Sequence, residues 1–400
     1  MSQNKTLPSW RALTSHEVMP EANHDDVARL NVLTHLNYHL SSRVLPGVKQ
    51  AFEQHVKPAF VAQQQREPEN RHEIRQAMLQ NGYFQFWSAL RRSAMEMRHQ
   101  TGRIVALRQA DALSAKVAAL NATAPHSLAL DAAVQIPANI SEVDIHCQPG
   151  CYYQEYFEAD VTVAASYDVG LFVTTAGLLG ALSDGGGQAI VNWLALQHPD
   201  FKPKRILDIG CTIGHNIVPL AQAFPDAEVI AIDVARPCLR YAHARAVALG
   251  VSNISFVQAN GEDLPQFADE SFDLITTAMF WHETSHSAMP NILRTINRLL
   301  KPGGLTLHLE QPQYQHMGLY EQFIRDWDTY FNNEPYWGPM HDLDLPAMLS
   351  QAGFNAADMF DVGVRAKVDE RIFGKREAGE SGEDYGRAPV WNAFGLWKKP

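Results

Sequence analysis

RILDIGCTIGHNIVPLA, residues 205–221, opens with a run of bulky, partly β-branched residues, bends through a short turn with two glycines, and resumes with apolar residues at helical spacing. Ile206-Leu207-Asp208-Ile209 has the character of a buried strand. Gly210 and Gly214 free the backbone to turn sharply and let a ligand lie close against it. From Asn216 to Phe224 the apolar spacing is that of a helix. A strand that passes through a glycine turn into a helix N-terminus is how an open α/β sheet meets a nucleotide-like ligand.

The flanking sequence extends this pattern. VIAID (229–233), ISFVQA (254–259), FDLITTAMF (272–280) and the stretch LTLHLEQP (305–312) predict further strands. Helices fit between them, one reaching about Leu249 and one running from about Ala288 until the glycines of KPGG (301–304) stop it. Alternating strands and helices imply a mainly parallel sheet with right-handed crossovers. After a helix near 343–352, DMFDVGVRAK and VWNAFGLWKK alternate like two antiparallel edge strands, joined by a charged, Gly-rich connection (368–389) that is expected to be mobile.

The first part of the chain reads differently. From about residue 24 to 122 it is helical: Val48, Phe52, Val56 and Phe60 recur every four residues, as do Ile74 with Met78 and Phe86 with Leu90. Asn23 or Asp25 is expected to cap the first helix and Asn121 to close the last. Residues 123–150, interrupted by Pro125, Pro137 and Pro149, read as irregular. The expected organisation is a helical domain at 1–150, a lid and connecting segment at 151–189, and an α/β domain at 190–400. The apolar stripes of the helical part are core or the surface of a homodimer.

Charge divides unevenly. Residues 1–150 carry a net +2 and the remainder −13, within a total of −11 over 400 residues. Neither part has the basic field that nucleic-acid binding needs. The longest apolar run, Val169–Leu182, has 14 residues with two threonines and three glycines, too short for a bilayer, so no membrane partner is expected. MSQNKTLPSW has no basic region followed by an apolar core, and Cys147, Cys151, Cys211 and Cys238 are too few and scattered for a disulfide framework. A cytoplasmic protein is expected. His146 beside Cys147 and Cys151 raises the thought of zinc, but no second Cys/His cluster accompanies HCQPGC, and free thiols with no metal are the expectation.

LDIGCTIG resembles the first motif of the class I S-adenosylmethionine-dependent methyltransferases, with Thr212 where the family has its middle glycine. Asp233 ends the next strand, where the family uses an acid to hold the ribose hydroxyls, two acceptors facing two vicinal donors. QANGEDLPQFADESFDLI (258–275) is similar to the family's Gly-Asp-Ala-x-x-Leu-Pro stretch running on to Ser-Phe-Asp, and LLKPGG (299–304) to the turn before its fifth strand. These landmarks cover about residues 200–312. The resemblance implies a seven-stranded, Rossmann-like sheet with an antiparallel C-terminal edge. It further implies that S-adenosylmethionine is held by Asp208, Gly210, Cys211, Thr212, Gly214 and Asn216, then Asp233 and Val234, then Asn260, Gly261 and Glu262 near the adenine. Asn260 stands where the family commonly has aspartate; an amide both donates and accepts. An NAD-binding Rossmann turn would carry a third glycine for a pyrophosphate, which this turn lacks.

On the acceptor side, MFWHETSHS (279–287) comes after the fourth strand, at the ligand-facing edge of such a sheet. His282 resembles the histidine of plant-type small-molecule O-methyltransferases, which implies a base for a substrate hydroxyl, oriented by a carboxylate. Glu283, next in sequence, and Glu310, after the fifth strand, are both candidates for that carboxylate. Tyr167-Asp168 resembles the Tyr-Asp pair of the ubiquinone- and menaquinone-type enzymes, which makes Tyr167 a lid residue over the sulfonium, since aromatic ring faces attract cations. Tyr152, Tyr153, Trp281 and His286 are the expected acceptor contacts. The expected function is methyl transfer to a small organic acceptor, first at a hydroxyl oxygen and next at carbon or sulfur. A protein that binds S-adenosylmethionine without transferring its methyl is the rival from another class.

Overall fold

The structure is a computed structural model that describes residues 7–177, 179–365 and 390–399. The 368–389 connection lies outside the described residues. Eight strands among them form one sheet: β1 (Leu128–Ala129), β2 (Arg205–Ile209), β3 (Glu228–Asp233), β4 (Ile254–Gln258), β5 (Phe272–Ala278), β6 (Leu300–Leu309), β7 (Met359–Arg365) and β8 (Val390–Trp397). Their order is β1-β4-β3-β2-β5-β6-β8-β7, parallel except that β8 runs antiparallel to both β6 and β7.

Each central strand feeds two cores, because successive side chains leave opposite faces. Ile206, Val229, Ala231 and Leu274 enter one apolar cluster; Leu207, Ile209, Ile230, Ile232 and Ile275 enter the other. Burial on both faces explains why these strands read as continuous apolar runs.

Three local expectations are corrected. The 123–150 stretch contributes β1, whose Leu128 and Ala129 pair with Phe256 and Val257. Two residues are too few to show a period, and only the neighbour β4 makes them a strand. The helix before β6 ends at Leu299, ahead of KPGG, and these residues lie within β6 as a bulge: Phe272 pairs with Leu300 but Leu274 with Leu305. Asn23 caps the helix His24–His39 through a reciprocal box with Asp26. Asn121, however, lies inside the helix Ala110–Thr123, where its amide donates to the Arg240 carbonyl and its oxygen meets His243 Nδ1.

The N-terminal helices share cores with the α/β part of the chain. Phe52, Phe84 and Trp87 pack with Phe323 and Trp327 from the segment after β6, and Trp327 Nε1 donates to Ser88 Oγ at 2.7 Å. Ion pairs Arg71–Asp326 and Arg91–Asp328, both 3.1 Å, join the same surfaces. The long helix Gly82–Leu107 lies along the buried helix Thr162–Thr175, and a Cβ at Gly102 would sit 2.6 Å from the Ser166 carbonyl oxygen. The helical segment thus roofs one end of the sheet. Beneath it, β2 and β5 are neighbours although the chain runs outward from them in opposite directions, to β3 and β4 or to β6. Ligand crevices of open α/β sheets form at the carboxyl ends of strands where the order reverses in this way.

Candidate active site

At the end of β2, Gly210 takes φ +76°, and a Cβ there would meet the Phe280 ring at 2.4 Å, so only glycine fits. Thr212 keeps the left-handed backbone of the glycine it replaces, φ +48°, and its N–H donates to Asp233 Oδ2 at 2.9 Å. Asp233 Oδ1 accepts from Ala235 N–H, also at 2.9 Å. Burial raises the pKa of this carboxyl, while those backbone bonds pull it down and lose. Each oxygen keeps a second lone pair toward a cavity of about 760 Å³, whose wall includes Gly210, Thr212, Val234, Asn260, Gly261 and Glu262. Asn260 Oδ1 accepts from the Glu262 N–H and Glu262 Oε2 from Asn291, which fixes this side.

A larger cavity of about 1280 Å³ continues from the first, sharing Tyr152, Gly210, Thr212, Met279 and Glu283 with it. Asp208, Cys211 and Asn216 line this second space. Asp208 is buried and accepts from Thr276 Oγ1 at 2.7 Å; burial dominates and raises its pKa to about 7. Tyr167, on Thr162–Thr175, stands edge-on to Tyr152 with ring centres 5.5 Å apart. Its neighbour Asp168 turns away and accepts from Tyr241.

His282 lies on a single turn after β5, 2 % exposed, with Nδ1 2.6 Å from Glu310 Oε1. Glu310 Oε2 accepts from Trp281 N–H at 2.8 Å, which holds the carboxylate in place. Burial pushes the imidazole pKa down, but the charge and hydrogen bond of Glu310 outweigh it and leave it at about 9. The pair is therefore an imidazolium with a carboxylate at neutral pH, and Nε2 is the ring nitrogen left for the cavity. Glu283 points elsewhere: its Oε1 accepts from Tyr152 O–H and pairs with His146 Nε2, both at 3.0 Å. His146 Nδ1 reaches Glu334 Oε1 at 2.9 Å. Burial lowers the His146 pKa, yet Glu334 and Glu283 together raise it to about 10. Three residues at this site, Thr212, Met279 and His146, hold positive φ without being glycine, the kind of backbone strain that gathers at functional sites.

The comparisons with known proteins agree with this geometry. A family profile described as a methyltransferase domain matches residues 206–304. An uncharacterized methyltransferase of Synechocystis is 30% identical over 172 residues, covering 42% of this chain and 76% of that protein. This chain belongs to the class I S-adenosylmethionine-dependent methyltransferases. Among other relatives, a demethylmenaquinone methyltransferase of Geobacillus kaustophilus is 32% identical, covering 28% of this chain and 47% of its own. A ubiquinone/menaquinone biosynthesis C-methyltransferase of Pseudomonas savastanoi is 33% identical, covering 37% and 55%. The match thus spans about half the length of these quinone-pathway relatives. A solved phosphoethanolamine N-methyltransferase 2 of Haemonchus contortus, in complex with S-adenosyl-L-methionine, superposes with TM-score 0.42 at 20% identity, covering 58% of this chain and 57% of that one.

Several residues of this methyltransferase fall elsewhere than the sequence implies. Gly214 lines neither cavity; its φ of +74° shapes the turn, and a Cβ would press on Phe256 at 3.2 Å. Tyr153 lies outside both cavities and donates to the Ser141 carbonyl. Trp281 is buried against His308 and His286 is exposed, and neither lines the two cavities. Sequence reasoning missed Arg98, His146 and Glu334, all of which line the larger cavity. HCQPGC drew attention to His146 only as a metal ligand. No local pattern marked the other two.

Proposed function

We propose that this methyltransferase moves the methyl group of S-adenosylmethionine to a hydroxyl oxygen of a small organic acceptor held in the larger cavity. The observation that carries this is the buried His282–Glu310 pair, whose imidazole lines the larger cavity. When bound, the cofactor supplies an electrophilic methyl on a sulfonium. Its ribose hydroxyls fit the spare lone pairs of Asp233, its ammonium fits Asp208, and Glu283 with the rings of Tyr152 and Tyr167 suits a nearby positive charge. His282 takes the acceptor's proton at Nε2, and Glu310 stabilises the cation that results. The roof of helices excludes water, which strengthens these charges. The names of the quinone-pathway relatives favour a second reading, in which the ionised hydroxyl delocalises its charge onto a ring carbon and that carbon takes the methyl.

The test is binding followed by turnover. S-adenosylmethionine at a hundredfold excess over its Kd is expected to stabilise the fold by about 2.7 kcal/mol, read as a rise in Tm, while NAD leaves Tm unchanged. Phenolic acceptors are then expected to yield S-adenosylhomocysteine. Binding without any such product across phenols, enols and thiols would favour the non-transferring rival.

We also propose a homodimer. Phe86, Met97, Ile104 and Leu107 are exposed along Gly82–Leu107, and their spacing puts them on one helical face that a second copy could cover symmetrically. Light scattering is expected to give twice the chain mass for the native protein and the single mass for Ile104→Asp. A native protein that is monomeric at tens of micromolar rejects the idea.

A further inference from the structure

Arg98 sits on the cavity side of Gly82–Leu107 and is 4 % exposed. Arg91, two turns before it, is neutralised by Asp328. Arg98 touches no carboxylate among the described residues. Its Nη2 donates to His99 Nε2 at 2.7 Å, and its buried Nε has no partner. Burial, reinforced by Arg98 itself, holds His99 neutral, so this contact leaves the guanidinium charge uncompensated. The acids of the cavity are committed elsewhere: Glu283 and Glu334 to His146, Asp328 to Arg91, and Asp208 to the Thr276 hydroxyl.

Two further polar groups in the same cavity are buried without a partner, Thr174 Oγ1 and His215 Nδ1. His215 is neutral, because burial lowers its pKa to about 4. Asn216 Nδ2 donates into its Nε2 at 3.2 Å, which puts the ring's own proton on Nδ1 and makes that atom a donor. The three lie around one stretch of helix. The Arg98 stem is 3.7 Å from where a Gly170 Cβ would stand, Tyr167 and Thr174 flank Gly170 by one turn, and the Tyr167 ring is 6.0 Å from that of His215. A buried cation whose hydrogen-bond partner is a neutral imidazole, with two unsatisfied donors in the same cavity, is a costly arrangement unless a ligand supplies the negative charge.

We propose that Arg98, Thr174 and His215 seat a carboxylate of a ligand bound in this cavity, so that the N-terminal helical segment reads part of that ligand directly. This rests on the reading above, that cofactor and acceptor share the joined cavities. The carboxylate comes either from an acid group on the acceptor or from the amino-acid end of S-adenosylmethionine.

Calorimetry with S-adenosylmethionine and its decarboxylated analogue separates the two, alongside thermal shift of the S-adenosylhomocysteine-loaded protein with benzoate. If the cofactor supplies the group, the native protein prefers the carboxylated form by about 10- to 100-fold, and Arg98→Gln loses that preference. If the acceptor supplies it, both cofactor forms bind native and variant protein alike, while benzoate raises the Tm of the native protein and not of Arg98→Gln. Thr174→Val, which keeps volume and removes one hydroxyl, is expected to weaken the same ligand several-fold and carries the test should Arg98→Gln not fold. Native-like behaviour of the variants in both arms overturns the proposal. Failure of the native protein to bind any S-adenosylmethionine overturns the broader reading instead.

Discussion

His282→Ala is expected to reduce turnover by about 10²–10⁴-fold while leaving S-adenosylmethionine affinity nearly unchanged. The imidazole is absent from the wall of the cavity beside Asp233, and it is none of the residues proposed above to hold the cofactor, so its loss removes a proton acceptor and leaves those contacts in place. The pH profile carries the sharper information. His282 must be neutral to accept a proton, and Glu310 holds its pKa at about 9. The rate is therefore expected to climb by about one log unit per pH unit through neutrality and level off near pH 9, or somewhat lower where a sulfonium's charge opposes the imidazolium. Glu310→Gln removes the largest influence that raises the pKa, leaving burial, which lowers it, against the weaker pull of Glu283 and Glu334. The acidic limb should then move to lower pH even as the maximal rate falls. A Glu310→Gln profile identical to the native one would show that Glu310 does not act through His282. Near-normal turnover of His282→Ala would mean that the acceptor needs no base, as for a thioether or an ionised thiol.

Asp233→Ala is expected to weaken S-adenosylmethionine binding by about 1.5–3 kcal/mol, the worth of hydrogen bonds to a charged group. The structure adds a second consequence. The same carboxylate accepts the N–H groups of Thr212 and Ala235, so alanine also strands two amides and loosens a turn whose Thr212 is strained. Unfolding of the ligand-free protein is accordingly expected at lower denaturant for the variant, and calorimetry at a temperature where both proteins are folded isolates the binding loss. Native-like affinity in Asp233→Ala would remove this residue from the cofactor site. Because burial raises the Asp233 pKa, native affinity should begin to fall on acidification above the ordinary carboxylate range.

The sheet was legible because β2 to β6 are short apolar runs ended by an acid or a turn, and that pattern is local. The cofactor side was legible for the same reason: Gly210, Thr212 and Asp233 stand at strand ends, and adjoining strand ends are brought together by a parallel sheet. β1 was not legible, since its two residues become a strand only by pairing with β4. Nor was the partner of His282. Glu283 is its neighbour in sequence, yet Glu310 is its partner in space, because β5 and β6 pair with Ala278 opposite Leu309 and so bring the residues just beyond them together. His146, Glu334 and Arg98 come from three separate parts of the chain and meet only where the helical roof closes over the sheet.

By itself, then, the sequence determined the α/β class, the cofactor turn and the place of the candidate base. Short-range patterns of polarity and backbone freedom encode those features. Only the tertiary structure decided which acid faces which base, and that Arg98 in the cavity meets no carboxylate among the described residues. Those are properties of side-chain direction and burial across distant segments, and no local spacing records them.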